Sequence, residues 1–312
     1  MPQTIKKTIE IENKLIGENQ PCFIIAEAGV NHVLESGDLN RIGAKSALEV
    51  AFRMIDAAVE AKADAIKFQS FSTDRVIFKT ARKPRYQVSN VGSDEEISYF
   101  NLIKKLETSK EDQIKIVNYC KKKGIIFFST PYDNESADFL DEEINVPLFK
   151  LASIELNNHL FLRYVAGKGK PIILSTGLSS IEDVMATVKI AREEGFANRI
   201  VLLQCTSDYP TKPEEVNLNV IKSYIKEFAD ILIGFSDHSR NFTASIGAVA
   251  LGAVAVEKHF TLDKTFKGPD HSSSLDKKEL SEWVSRIREL EASMGSYEKK
   301  VTDGEKRNET MR

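Results

Sequence analysis

The fold of this chain is indicated by the run Cys22-Phe23-Ile24-Ile25-Ala26, a continuous apolar segment that ends at Glu27. Such runs are typical of strands that are buried on both faces of a parallel sheet. Seven similar runs follow at residues 65–68, 125–128, 147–151, 171–174, 200–203, 231–234 and 253–256. Segments of helical periodicity separate them at 48–62, 109–123, 134–143, 157–167, 180–194, 217–228 and 243–251, with a last one at 277–294. Eight strand–helix units predict an α/β fold of the (β/α)8, or TIM, barrel type.

Three segments lie outside this repeat. Residues 1–20 alternate apolar and polar side chains, which predicts an N-terminal β-hairpin that closes the bottom of the barrel. Residues 73–106 form a long insertion after the second strand, and long loops in compact domains are usually functional or mobile. The catalytic barrel is expected over 21–300, and residues 301–312 read as the start of an interdomain linker.

Composition excludes several classes of protein. The chain has 312 residues with 43 Lys+Arg and 46 Asp+Glu, so its net charge of −3 provides no strong field for nucleic acid or an anionic membrane. No apolar run approaches the ~20 residues of a bilayer span, and the N-terminus lacks the apolar core of a signal peptide. With only three cysteines, we expect a cytoplasmic protein with reduced thiols.

Polar residues collect where the predicted strands end, which is where active sites lie in this fold. In chain order they are Glu27, Lys67, Gln69, Thr130, Lys150, Ser153, Glu155, Ser175, Tyr209, Ser236, His238, His259 and Asp270. Polar side chains at such positions need partners or a ligand. Their convergence on one mouth therefore predicts a binding or catalytic site.

The two lysines within strand-like runs, Lys67 and Lys150, predict an anion clamp completed by neighbouring hydroxyl groups. Two alternatives remain open. Glu27 or Glu155 could be a structural counterion for a buried lysine, or Lys150 could form a Schiff base, as in class I aldolases.

Two histidines end neighbouring predicted strands, which lie ~4.8 Å apart in a sheet. His238 and His259 could therefore bind a divalent metal together, with water and substrate oxygens as the other ligands. His32 and His271 are weaker candidates. The cysteines Cys22, Cys120 and Cys205 read as small buried hydrophobic residues.

Several motifs resemble those of sialic acid synthases, the family of N-acetylneuraminate, legionaminate and pseudaminate synthases. The resemblance runs from about residue 20 to the C-terminus. Its motifs are Ile25-Ala26-Glu27-Ala28-Gly29-Val30-Asn31-His32, Lys67-Phe68-Gln69, Ser129-Thr130-Pro131-Tyr132-Asp133, Lys150-Leu151-Ala152-Ser153, Leu174-Ser175-Thr176-Gly177, Cys205-Thr206-Ser207-Asp208-Tyr209-Pro210, Gly234-Phe235-Ser236-Asp237-His238-Ser239, Glu257-Lys258-His259-Phe260-Thr261-Leu262-Asp263 and Gly268-Pro269-Asp270-His271.

The resemblance implies a reaction in which phosphoenolpyruvate condenses with the open-chain aldehyde of a 2-acetamido hexose, of the N-acetylmannosamine or 2,4-diacetamido-trideoxymannose type. Carbon 3 of phosphoenolpyruvate attacks the aldehyde, water attacks carbon 2, and phosphate leaves by C–O cleavage. The Gly268-Pro269-Asp270-His271 motif is more similar to the neuraminate and legionaminate branch, and Val30-Asn31-His32 to legionaminate-type bacterial enzymes.

The resemblance also implies a role for each candidate residue. The implied phosphoenolpyruvate ligands are Lys67, Gln69, Thr130, Lys150, Ser153, Ser175 and Ser236, and the implied Mn²⁺ or Mg²⁺ ligands are His238 and His259. Glu27, Tyr209 and Asp270 would hold the amino sugar, and Glu155 would handle the proton of the attacking water. Glu27, Glu155 and Lys67 are the expected catalytic residues.

Two departures from the family pattern are visible. Residues 33–43 lengthen the loop after Asn31-His32, which is expected to alter the sugar pocket or form a lid. The chain ends where the family continues into an antifreeze-like domain, which supplies an arginine to the other subunit of a homodimer. Two other functions therefore stay open: a pyruvate-dependent aldolase or lyase on the same barrel, and a catalytically silent sugar-binding barrel.

Overall fold

The structure, a computed structural model, describes residues 7–93 and 97–308. A two-stranded antiparallel hairpin of β1 (Thr8–Ile11) and β2 (Lys14–Gly17) precedes eight parallel strands. These are β3 (Phe23–Gly29), β4 (Ala65–Ser70), β5 (Ile126–Pro131), β6 (Phe149–Leu151), β7 (Ile172–Ser175), β8 (Ile200–Cys205), β9 (Leu232–Asp237) and β10 (Ala255–His259). All eight strands of the predicted barrel are therefore present.

The helices alternate with the strands as the periodicity predicts. They are α1 (Ser36–Arg41), α2 (Ala47–Glu60), α3 (Thr73–Val76), α4 (Arg85–Val91), α5 (Tyr99–Lys105), α6 (Lys110–Lys123), α7 (Asn134–Asp138), α8 (His159–Ala166), α9 (Ile181–Glu193), α10 (Asn219–Glu227), α11 (Thr243–Ala250), α12 (Lys277–Met294) and α13 (Asp303–Lys306). The predicted helix at 134–143 is divided into α7 and a π-helical turn at Phe139–Glu143. None of these helices, in the described ranges, combines the length and hydropathy needed to cross a membrane.

The eight parallel strands form one curved sheet that is nearly closed. Hydrogen bonds join them in the order β5-β4-β3-β10-β9-β8-β7-β6, and β5 and β6 at the two ends of this order lie side by side. Because β3 pairs with β10, the first and last strands of the repeat are neighbours. This closure confirms the predicted (β/α)8 barrel.

Side chains alternate between the barrel interior and the helices along every strand, as strand geometry requires. On β4, Ala65 faces an interior apolar cluster, and Ile66 and Phe68 face the cluster under the helices. The interior cluster contains Phe23, Ile25, Ala65, Ile126, Phe128, Leu148, Ile173, Val201, Leu203, Leu232 and Ala255. These residues lie toward the N-terminal ends of the strands, so the interior is apolar at one end and leaves the other end for polar side chains.

The N-terminal hairpin closes the apolar end of the barrel. Ile9, Ile11 and Ile16 are buried in the same interior cluster as Phe23 and Ile25. The prediction of a hairpin at the barrel bottom is confirmed for residues 8–17, and residues 1–6 lie outside the described range.

Residues 33–43 pack against the loop that follows β10. Arg41 of α1 bonds Asp263 and Thr265 at 2.8 and 2.7 Å, and its guanidinium lies 4.7 Å from the ring centroid of Phe266. The backbone N–H of Lys267 donates to Asp38 at 3.0 Å. These contacts fasten α1 to the loop after β10, and the expectation that the segment alters the sugar pocket or forms a lid stays a prediction.

Candidate active site

One cavity at the C-terminal ends of the strands brings the predicted residues together. Its volume is about 700 Å³, and all thirteen candidate residues line it. Five of them occupy interior positions two residues beyond a member of the apolar cluster, as Lys67 does after Ala65, and the others lie farther along the strands or in the loops that follow. The five are Glu27, Lys67, Thr130, Lys150 and Ser175. The structure thus confirms that the candidates converge, while their chemical roles stay predictions.

The floor of the cavity holds two buried lysines. The Nζ atom of Lys67 lies 2.9 Å from a carboxylate oxygen of Glu27 and donates to the Thr130 hydroxyl at 2.9 Å. The Nζ atom of Lys150 donates to the Ser175 hydroxyl at 2.7 Å and to the Leu151 carbonyl at 3.0 Å. Burial of cations is costly unless charges or ligands compensate it, so both ammonium groups are placed for an anion.

A carboxylate that the sequence analysis did not select lies between the two lysines. Glu257 on β10 is 3.8 Å from the Nζ atom of Lys67 and 3.9 Å from that of Lys150, and it accepts a bond from Ser236 at 3.4 Å. Burial alone would raise the pKa of Glu257, but the two lysines hold it below its usual range. Glu257 could have been selected from the alternation of side chains along a strand, because it faces the same inward side of β10 as His259.

Of the two proposed counterions, only Glu27 pairs with a lysine. Burial raises the pKa of Glu27 to about 7, although Lys67 opposes the shift. Glu155 instead accepts a bond from Asn158 at 2.7 Å, and burial also raises its pKa. Burial thus favours the protonated form of both carboxyl groups, and a pKa of about 7 lets Glu27 exchange protons near neutral pH.

The two histidines meet at the cavity as predicted, with ring centroids 5.6 Å apart. The Nδ1–H of His238 donates to the Thr206 carbonyl at 2.8 Å, which leaves Nε2 available as a ligand. The buried Nδ1 atom of His259 has no hydrogen-bond partner, and burial places its pKa well below the ordinary value, so the ring is neutral. Burial opposes the shift, but Cys205 and the Thr206 carbonyl raise the pKa of His238, so a metal at its Nε2 requires the neutral form of this ring. Two imidazoles placed in this way fit a divalent metal.

The protein would contribute only these two ligands. Within residues 7–93 and 97–308, no group of three or more His, Cys, Asp or Glu side chains is placed to hold a metal ion. Water and substrate oxygens would therefore fill the remaining coordination positions, as in an open catalytic site.

Tyr209 and Asp270 lie beside the two imidazoles. The ring centroids of Tyr209 and His238 are 4.1 Å apart, and a carboxylate oxygen of Asp270 is 3.9 Å from Nδ1 of His259. Burial raises the pKa of Asp270 to about 6. This end of the cavity also receives side chains from the 73–106 insertion, including Tyr86 and Tyr99, which the sequence analysis did not name.

Three further residues take places that the sequence did not predict. His32 and His271 are buried against Phe68 and Phe266 and do not line the cavity, so they are not candidates for a metal site there. Cys205 does line it, with Sγ 3.7 Å from Nδ1 of His238, whereas Cys22 and Cys120 are buried elsewhere as free thiols.

Comparison with known proteins gives consistent matches. Residues 54–299 match the model of the NeuB family. The chain is 39% identical to an N,N'-diacetyllegionaminic acid synthase of Legionella pneumophila, over 93% of this chain and 78% of the relative. It is also 39% identical to the N-acetylneuraminate-9-phosphate synthase of Homo sapiens, over 92% of this chain and 75% of the relative.

A solved structure is similar over nearly the whole chain. It is an N-acetylneuraminic acid synthetase from Leptospira borgpetersenii in complex with citrate, with a TM-score of 0.81 and 33% identity. The match covers 98% of this chain and 96% of that chain. Relatives named for different sugars match equally well, so the comparisons leave the sugar undecided.

Proposed function

Because the chain belongs to the NeuB family, we propose that it is a nonulosonic acid synthase that condenses phosphoenolpyruvate with the open-chain aldehyde of a 2-acetamido hexose. The observation that carries this proposal is the adjacency of the two-lysine floor and the pair of imidazoles in one cavity. The two lysines match the negative charges of phosphoenolpyruvate. The pair of imidazoles matches a metal that polarises the aldehyde.

The lysine floor binds phosphoenolpyruvate in this proposal. Lys67 and Lys150 neutralise its carboxylate and phosphate, and hydroxyl and amide groups around them donate hydrogen bonds. Those groups are Gln69, Thr130, Ser153, Ser175 and Ser236. Binding in a buried site fixes carbon 3 relative to the aldehyde, which lowers the entropic cost of forming the bond.

His238 and His259 would hold Mn²⁺ or Mg²⁺. When bound, the metal polarises the sugar aldehyde as a Lewis acid. Tyr209 and Asp270 orient the sugar hydroxyls from beside the imidazoles, and Glu27 borders the same space from the floor.

The carboxyl groups handle protons. The new bond joins carbon 3 of phosphoenolpyruvate to the aldehyde carbon, and water then adds to carbon 2. Glu155 accepts the proton of that water, phosphate leaves with its bridging oxygen, and a nine-carbon 2-keto acid results. The pKa of Glu27, raised to about 7, suits proton exchange near neutral pH, and the raised pKa of Glu155 makes its carboxylate a better base.

Phosphate release is the direct test. We expect the metal-stripped protein to release no phosphate from phosphoenolpyruvate and a 2-acetamido hexose, and added Mn²⁺ or Mg²⁺ to start the release. His238→Ala and His259→Ala should each lose this metal-dependent turnover while keeping the wild-type circular dichroism spectrum. Absence of release with N-acetylmannosamine, its 6-phosphate and 2,4-diacetamido-2,4,6-trideoxymannose would overturn the proposal.

One observation favours a second candidate function, a pyruvate-dependent aldolase. Burial lowers the pKa of Lys150, which makes its amine a better nucleophile. Borohydride reduction in the presence of pyruvate distinguishes the two. Covalent trapping at Lys150 favours the aldolase, and turnover of phosphoenolpyruvate excludes it.

A further inference from the structure

The loop that follows β10 is closed at its two ends by backbone hydrogen bonds. Residues 261–274, called the β10 loop, leave the strand after Phe260 and return at Leu275, and these two residues form an isolated parallel bridge. The backbone N–H of Leu275 donates to the His259 carbonyl at 2.9 Å, and that of Thr261 donates to the Leu275 carbonyl at 2.8 Å. The β10 loop is therefore tied to one of the two candidate metal ligands.

The Asp270 carboxylate depends on this loop for its position. It is buried, and it faces Nδ1 of His259 at 3.9 Å, which is longer than a hydrogen bond. Within residues 7–93 and 97–308, no N–H or O–H group donates a hydrogen bond to this carboxylate. Since the side chain has no anchor of its own, the backbone at residue 270 decides where the carboxylate lies.

Two buried side chains connect that backbone to the end of β3. The amide of Asn31, two residues after β3, donates to the Ser274 hydroxyl at 3.1 Å and to the Phe260 carbonyl at 2.9 Å. The Ser274 hydroxyl donates in turn to the Asp270 carbonyl at 2.8 Å. Both side chains are buried, where bulk water does not replace a lost hydrogen bond, so each of these bonds restrains the loop.

His271 fixes the next residue of the loop. Its Nδ1 atom lies 2.8 Å from the Thr261 hydroxyl, and its ring meets that of Phe266 edge-on with centroids 5.6 Å apart. The backbone of Gly268 lies so close to this ring that a Cβ atom there would be 2.6 Å from Cδ2 of His271. A side chain at position 268 would therefore displace the imidazole, and with it the backbone beside Asp270.

We propose that Asn31, Ser274 and His271 are positioning residues, which hold the Asp270 carboxylate beside His259 through the backbone of the β10 loop. None of the three is among the described residues that line the cavity, so each acts on a substrate only through Asp270. The inference rests on the proposed synthase function, in which Asp270 orients the sugar. Disruption of the contacts should weaken sugar binding and spare phosphoenolpyruvate, whose lysine ligands come from β4 and β6.

The test is steady-state phosphate release at saturating Mn²⁺, with the 2-acetamido hexose that the wild type turns over. Ser274→Ala removes the bond to the Asp270 carbonyl, Asn31→Leu removes both amide donations, and Gly268→Ala displaces the His271 ring. We expect each variant to raise the KM for the sugar about tenfold, as expected for the loss of one buried hydrogen bond. The KM for phosphoenolpyruvate should stay within about twofold of the wild-type value.

A double-mutant cycle connects this effect to the carboxylate. Asp270→Asn alone should raise the KM for the sugar, and Ser274→Ala added to it should cause less than about a twofold further change, because the positioned charge is already gone. A merely structural role would make the two effects additive. Thr265→Val is the matched control, an exposed residue of the same loop whose hydroxyl bonds Arg41 and Asp263, and it should keep both wild-type KM values.

The outcomes separate the inference from the proposed function. Circular dichroism identifies the folded variants, and Ser274→Ala, which removes a single hydroxyl, decides if the two larger changes prevent folding. An unchanged KM for the sugar, equal increases for both substrates, or additivity with Asp270→Asn overturns the inference and leaves the synthase function standing. No phosphate release by the wild type with any of the three sugars contradicts the synthase function, and the inference falls with it.

Discussion

Glu257 contributes to the charge balance around both lysines of the cavity floor. Its carboxylate lies within 4 Å of both lysine ammonium groups, so neither cation is buried alone in the free protein. The sequence analysis selected the ammonium and imidazole groups because their types are distinctive. It passed over Glu257 because the partners of a carboxylate are visible only when strands are placed side by side.

His32 gives a prediction about acid stability. Burial against Phe68 lowers its pKa from 6.5 to about 4. Its buried Nδ1 atom has no hydrogen-bond partner, so an N–H formed there on protonation would have no acceptor. A lowered folded-state pKa contributes stability above pH 6.5 that is lost as the pH falls toward 4, in this case roughly 3 kcal/mol.

We therefore expect His32→Asn to lose less free energy of unfolding between pH 7 and pH 4 than the wild type, as measured by urea denaturation at each pH. His271 has a similarly lowered pKa and remains in the variant, so the dependence is reduced and not abolished. Identical pH profiles for the two proteins would contradict this account.

At the scale of secondary-structure elements, a buried ion pair joins β9, β10 and α11 outside the barrel interior. Lys258 lies 3.1 Å from Asp237, which also accepts a hydrogen bond from Ser245 of α11. The two residues are aligned across the strand pair, and both point away from the cavity. Their neighbours Ser236 and His259 point into the cavity. The ends of β9 and β10 therefore carry residues of the site on one side and this ion pair on the other.

Lys258→Met should destabilise the fold by about 3–5 kcal/mol, because it leaves the Asp237 carboxylate buried without its cation. Unfolding by urea measures this change. The double variant Asp237→Asn/Lys258→Met should recover part of the loss, and Lys278→Met on the exposed face of α12 should change stability by less than about 0.5 kcal/mol. A single variant as stable as the wild type would show that the pair is dispensable.

The strands and the main helices were predictable because apolar periodicity and capping residues are local signals. Ser109 and Ser180 accept hydrogen bonds from Asp112 and Asp183 at the starts of α6 and α9, as the sequence indicates. The short helices α3–α5 were not predicted, because they are only four to seven residues long and are held by contacts with distant loops. One such contact is the Asn90 side chain, which donates to the Pro269 carbonyl at 2.6 Å.

For the whole molecule, the hairpin is the element that completes the interior. Ile16 is 1% exposed and packs among side chains of the barrel strands, while its neighbour Leu15 is 44% exposed. The resemblance to sialic acid synthases is confirmed at this scale by the family match and by the similarity of the complete fold. The homodimer, the metal and the interdomain linker stay predictions.

Ile16→Ala should cost about 2–5 kcal/mol of stability, because it opens a cavity at the closed end of the barrel. Leu15→Ala is the matched control and should cost much less. Urea unfolding gives both values, and kcat of the folded Ile16→Ala protein should stay close to that of the wild type because the site lies at the opposite end. Equal losses of stability from the two substitutions would argue against closure of the barrel end by the hairpin.

The walls of the cavity come from two separate parts of the polypeptide. The strand ends carry the lysines and imidazoles, whereas Ile77, Tyr86, Tyr99 and Ile103 all lie within one contiguous insertion. The groups proposed for chemistry and the side chains of the insertion therefore belong to different parts of the chain. A graft of that insertion between relatives would exchange one wall while leaving every strand register, and with it the reacting groups, in place.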